Sequence, residues 1–227
     1  MARKPRVDYP GAWHHVMHRG ARREPIFLAP EHCLLFFDVL RESVTEYGVE
    51  VHAYALMPNH YHLLLRSPLA TLSTSMRHLN GVYTRRLNAM YGWDGPVFRG
   101  RFANQLVERD EHLEHLLAYV HLNPVRAHLA SYPEEECWTS HRAYLGLTKP
   151  PVWLTTSEIL ARFEHAEGLH RFVTAWHNGA RIAPSDMDLA DGWFLPANRA
   201  ADDDEEAARA EGGVHVDVIL KRVERLT

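Results

Sequence analysis

The 227-residue chain is 46% hydrophobic and 24% charged. That is an ordinary soluble composition, long enough for one well-packed domain plus an appendage and too short for two large ones. No apolar run approaches a membrane span, and Met1 to Asp8 is basic with no apolar segment behind it, so the expected setting is the cytoplasm and no membrane partner is expected. Cys33 and Cys137 exclude a disulfide framework and lack zinc-ribbon spacing. The formal charge of −4 is unevenly spread: of 25 Lys+Arg and 29 Asp+Glu, residues 1–130 hold 15 and 12, leaving 10 and 17 for the remainder. An acidic tail therefore hides a mildly basic front end.

Trp13 to Arg19 reads as a first strand ending at Gly20. Pro30 can open a helix, since a proline in the first turn has no hydrogen bond to lose. Cys33, Phe36, Phe37, Leu40, Val44 and Tyr47 then recur at helical spacing up to a Gly48 stop. Val49 to Leu56 is a second strand. It turns through Met57-Pro58-Asn59 into a third, His60-Tyr61-His62-Leu63-Leu64-Leu65, and so tight a turn predicts an antiparallel pair. On a strand, residues i and i+2 share a face, so His60 and His62 project together while Tyr61 points the other way. Two imidazoles placed in this way form a claw for a divalent metal. With 17 histidines in the chain, a chance triplet decorating a surface strand is the competing reading.

Leu72, Met76, Leu79, Tyr83, Leu87 and Met90 mark one face of a second helix closed by Gly92. Its other face carries Arg77, Asn80, Thr84 and Asn88, and no acid occurs from Ser67 to Trp93. A plain solvated face is the usual fate of such residues, but these faces normally mix both signs of charge. The absence of acids favours phosphate contact. In Phe98-Arg99-Gly100-Arg101-Phe102, an extended backbone would put Arg99 and Arg101 on one face, suited to bidentate phosphate contacts. Ala103 to Val107 completes strand, helix, strand, strand, helix, strand. This is the split βαβ, or ferredoxin-like, order: an α+β fold with one antiparallel sheet and helices on one face, followed by a helical C-terminal extension.

A third helix begins near Asp110, with Leu113, Leu116, Leu117 and Val120 on its core stripe. Tyr119 lies about a quarter-turn off that stripe. Asn123 shares its side if the helix survives Pro124. A half-buried flank residue is the bland reading of Tyr119, and His121 projects to the opposite flank. Thr155 and Glu158 have capping-box spacing ahead of another helix, and Leu169, Phe172, Val173 and Trp176 suggest one more. The expected division is a catalytic domain over 1–130, a helical extension over 131–180, and an acidic, flexible tail over 181–227 with a possible short terminal helix.

His60-Tyr61-His62, Phe98-Arg99-Gly100-Arg101-Phe102 and Tyr119-Val120-His121-Leu122-Asn123-Pro124-Val125-Arg126, in this order, resemble the REP-associated tyrosine transposases. These are relatives of the single-tyrosine HUH transposases of small insertion sequences. The resemblance covers about residues 7–180 and includes Trp138 to Tyr144 and Pro150 to Leu154. It implies a single-stranded DNA endonuclease and strand-transferase acting near palindromic hairpin repeats, in a cytoplasmic, nucleoid-associated bacterial protein. Tyr119 would be the nucleophile, giving a 5′-phosphotyrosine link. His60, His62 and a third polar side chain would hold Mg²⁺ or Mn²⁺. Insertion-sequence relatives carry a glutamine four residues after the tyrosine, where this chain has Asn123. Arg126 joins Arg77, Asn80, Thr84, Asn88, Arg99 and Arg101 as a candidate DNA contact, the partner being single-stranded or hairpin DNA. The insertion-sequence relatives work as dimers and the REP-associated group looks monomeric; the helix pattern does not decide between them, and the resemblance favours a monomer over a homodimer.

The chemistry suits these residue types. A phenol with a pKa near 10 needs help to attack at neutral pH, and two imidazoles, an amide oxygen and open positions suit Mn²⁺ or Mg²⁺ better than a closed zinc site. Two other readings stand beside this one. One is a non-cleaving hairpin or single-strand nucleic-acid-binding protein on the same fold. The other is a metal-dependent phosphodiesterase in which water attacks.

Overall fold

The structure is a computed structural model, and it describes residues 6–108 and 110–177. The acidic tail and its possible terminal helix lie outside the described residues. The elements run β1 (Ala12–Arg19), α1 (Pro30–Tyr47), β2 (Glu50–Met57), β3 (His60–Ser67), α2 (Leu72–Tyr91), β4 (Ala103–Val107), α3 (Asp110–Arg126), α4 (His141–Tyr144), α5 (Ser157–Leu160) and α6 (Ala166–His177). Gly48 and Gly92 end α1 and α2 in the left-handed conformation, each sending its N–H back to the helix, as the sequence predicts. No helix among the described residues is long and apolar enough to cross a membrane.

The four strands form one sheet in the order β2-β3-β1-β4 with every neighbouring pair antiparallel, the arrangement expected of a split βαβ fold. α1 and α2 cover one face. There Val16, Tyr61, Leu63 and Leu65 of the sheet pack with Phe36, Leu40, Leu79 and Tyr83. The other face is also covered: Ala53, Ala55 and Leu64 pack under Leu113, Leu116, Leu117 and Val120 of α3, joined by Tyr144, Ile159, Leu169 and Val173 of the C-terminal helices. Burial on both sides is why β3 reads as a nearly unbroken apolar run after its histidines. The small side chains of Ala53 and Ala55 on β2 let α3 sit close to the sheet.

α3 runs through Pro124 to Arg126, so the condition that places Asn123 on the side of Tyr119 is met. Two local expectations are corrected. The Arg99–Arg101 stretch is not extended, because Gly100 takes a φ of +62° and bends it. Phe98 and Phe102 are nonetheless buried and both arginines exposed. The Thr155/Glu158 capping box does not form. α5 starts after Thr156 with no side-chain cap, and the Glu158 carboxylate instead lies 3.4 Å from Arg66.

Candidate functional site

β3 presents His60, His62 and Leu64 to the face under α3, and its pairing sets their neighbours. Met17 and Arg19 of β1 stand opposite His62 and His60, and on the far side Ala55 and Met57 of β2 do the same. Directly opposed residues share a face, so His15, Met17 and Arg19 lie on the histidine side. The two rings have centroids 5.0 Å apart. Burial pushes His60 down to about 3 and His62 well below its ordinary value, with the Arg19 charge adding to both. Both imidazoles are therefore neutral at physiological pH, the form that ligates metals.

Each ring is oriented through Nδ1. His60 Nδ1 lies 2.7 Å from Asn59 Oδ1, an acceptor, so this nitrogen carries the proton. His62 Nδ1 lies 2.9 Å from His15 Nε2, and burial holds His15 at about 3. With His62 Nδ1–H donating to His15, Nε2 of both rings is left as the lone pair to offer. A metal-binding histidine that donates its other N–H to a fixed partner shows the same arrangement. These residues fit the divalent ion the resemblance implies.

α3 brings Tyr119 to this pair. Its ring meets His62 edge-on at 5.5 Å and His15 at 5.8 Å. The Arg126 guanidinium lies 5.3 Å from the Tyr119 ring centre. Asn123, one turn on, is buried and donates its side-chain N–H to the Tyr119 carbonyl at 2.9 Å, which leaves Oδ1 as the atom it can give to an ion. The helix through Pro124 keeps Tyr119, Asn123 and Arg126 on neighbouring turns.

The other candidate contacts lie elsewhere. α2 covers the sheet face opposite His60 and His62, so Arg77, Asn80, Thr84 and Asn88 do not join the histidine site. Asn80 Oδ1 accepts from Tyr61 and from His18, and its amide donates to Met76 O. Asn88 donates to Gly95 O. The acids missing from α2 come from α1, where Glu42 pairs with Arg86 at 2.8 Å. Arg77, Arg99 and Arg101 are exposed.

Sequence reasoning missed His15 and Arg19. The signal was present, since both alternate with Met17 on β1, but their approach to His60 and His62 depends on the β1–β3 register.

A buried pair of neutral imidazoles on a central strand, faced by a tyrosine from the helix after the last strand, defines an α+β protein of the ferredoxin-like class with a polar site on its sheet. The family model described as "Transposase IS200 like" matches residues 9–123, half of the chain, and the chain belongs to this family. Its function is accordingly of the transposase type. The solved structure of a REP-associated tyrosine transposase bound to a REP hairpin is similar, with a TM-score of 0.57 and 14% identity over 69% of this chain and 93% of that one. A putative transposase from Deinococcus radiodurans aligns with a TM-score of 0.38 and 21% identity, covering 52% and 95%. At 14% identity the likeness to the REP-associated transposase structure concerns the fold alone. No curated protein sequence matches the chain significantly.

Proposed function

We propose that the chain is a single-stranded DNA endonuclease and strand-transferase that cuts near hairpin repeats by attack of Tyr119 on a scissile phosphate. The observation that carries this reading is the placement of Tyr119 edge-on to His62, between a pair of neutral histidines and the Arg126 charge. In the forward step Tyr119 Oη bonds to phosphorus and the bond from phosphorus to the 3′-oxygen breaks. The phenol gives its proton to solvent and the departing 3′-oxygen takes one up. The product is a 5′-phosphotyrosine and a free 3′-hydroxyl. Because the phosphodiester energy stays in a covalent bond, another 3′-hydroxyl can reverse the step and join strands.

His60 Nε2, His62 Nε2 and Asn123 Oδ1 would hold Mg²⁺ or Mn²⁺, an ion that, when bound, neutralises charge on the non-bridging phosphate oxygens. His15 and Asn59 hold the two rings in the ligating tautomer. Arg126 and Arg19 place positive charge beside the phosphate and favour the phenolate. Arg99 and Arg101, exposed on the bent segment before β4, contact the strand backbone. Arg77, Asn80, Thr84 and Asn88 are left out of this strand path, because α2 lies across the sheet from the histidines.

The test is cleavage of labelled hairpin DNA taken from repeats near the protein's own gene. Cutting is expected with Mn²⁺ and not with EDTA, and it is expected to vanish in Tyr119→Phe and in His62→Ala. Cutting that survives Tyr119→Phe contradicts tyrosine attack.

A further inference from the structure

Behind the tyrosine helix a second set of imidazoles stands in a row. His121, two residues beyond Tyr119 on α3, has Nδ1 3.0 Å from Nδ1 of His141, whose Nε2 lies 3.2 Å from His170 Nδ1. Glu134 closes the far end, and the ligand atoms of Glu134, His141 and His170 all lie within 4.8 Å of one another. Oε2 of Glu134 is buried with no hydrogen-bond partner. A buried carboxylate oxygen without a partner is costly unless a cation meets it.

The hydrogen bonds behind His141 permit the tautomer that a metal requires. The Ser140 hydroxyl lies 3.4 Å from the Tyr54 carbonyl and accepts from Tyr54 N–H at 3.0 Å, and His121 Nε2 lies 2.8 Å from the same oxygen. When Ser140 donates to Tyr54 O, His121 donates through Nε2–H to Ser140 and His141 donates through Nδ1–H to His121. His141 Nε2 is then a bare lone pair facing His170.

We propose that Glu134, His141 and His170 form a binding site for a zinc-class divalent ion, separate from His60 and His62, with His121 and Ser140 holding His141 in its ligating tautomer. The 3.2 Å between the two imidazole nitrogens already matches neighbouring ligands of tetrahedral zinc, which sit about 3.3 Å apart for bonds of about 2.0 Å. The carboxylate has at most about 1.5 Å to close, within reach of rotation about its own side-chain bonds. Two nitrogens and one carboxylate favour zinc over magnesium or calcium and leave a fourth position for water. Arg142 fixes the loop by donating to the Glu134 carbonyl at 2.7 Å. The other converging group, Glu50, His52 and Glu158, already has a cation, since Arg66 lies 3.5 and 3.4 Å from its two carboxylates.

Such an ion ties the loop after α3 to α4 and α6, and through His121 to the helix that carries Tyr119. All three ligands lie beyond the residues that the family model matches. The proposal does not depend on the cleavage chemistry.

The experiment uses the full chain with His60→Ala and His62→Ala, which removes the other imidazole pair. After chelator treatment it is titrated with Co²⁺ by visible absorption and with Zn²⁺ by calorimetry. One equivalent of each is expected, with the intense bands of four-coordinate cobalt and a rise in melting temperature. His170→Gln and Glu134→Gln, both at partly exposed positions, are expected to weaken binding about tenfold or more, and His121→Phe about 10- to 100-fold as an outer partner. Unchanged melting of the metal-free variants separates ligand loss from misfolding. Failure of the parent to bind either ion, or binding indifferent to His170→Gln and Glu134→Gln, overturns the proposal.

Discussion

His15 Nε2 lies 2.9 Å from His62 Nδ1, joining β1 to the central strand directly beneath Tyr119. With His15 accepting, this contact leaves Nε2 of His62 bare. His15→Phe keeps a ring in the space and removes the acceptor. Mn²⁺ affinity, read by electron paramagnetic resonance, is expected to fall about 10- to 100-fold. Affinity equal to wild type would show that His62 needs no partner.

Asn80 has the opposite character. Its Oδ1 accepts from Tyr61, which is fully buried, and from His18. Asn80→Ala leaves a buried hydroxyl unpaired, at a cost of about 1–3 kcal/mol. The expected result is a melting temperature lower by about 2–12 °C, with DNA affinity at saturating folded protein unchanged. A large loss of affinity without loss of stability would restore Asn80 to the DNA surface.

Stability should fall early on acidification. Burial lowers His15, His60 and His141 to about 3 and His52 to about 4, and it takes His62 and His121 well below their ordinary value. Between these values and the unfolded value of 6.5 the unfolded chain binds more protons, so stability drops as pH falls through that window. Each imidazole held at about 3 or 4 contributes a loss of about 1–2 kcal/mol between pH 6.5 and 5. Denaturant melts at pH 7, 6 and 5 measure the slope, and His60→Gln should lessen it. A flat profile down to the carboxylate range contradicts the neutral, buried pair.

Arg99 and Arg101 are exposed on the segment before β4. If each meets one phosphate of a single strand, its replacement by alanine lowers the slope of log affinity against log salt by about 0.7. Arg77→Ala, on the other side of the sheet, should leave that slope alone. Salt titrations of hairpin binding distinguish the two surfaces.

Much of this was legible in the sequence because it depends on local periodicity. The period of two places His60 and His62 together, and the helical stripe of Leu113, Leu116, Leu117 and Val120 sets Tyr119 on the flank of the buried face of α3. What the sequence did not show depends on tertiary partners. His15 and Arg19 reach the site only through the β1–β3 register. α2 appeared to lack counter-charges because Glu42 is supplied by α1, and Glu158 leaves its capping position to meet Arg66. His141 and His170 meet only when α6 folds back onto α4, a contact that no spacing rule encodes.

The most direct test of tyrosine attack uses hairpin DNA labelled on the 3′ side of the cut, incubated with Mn²⁺ and resolved on a denaturing protein gel. A 5′-phosphotyrosine predicts that the label migrates with the protein, that label on the 5′ side is released free, and that Tyr119→Phe forms no adduct. Cut DNA with no labelled protein, or an adduct that persists in Tyr119→Phe, would contradict it.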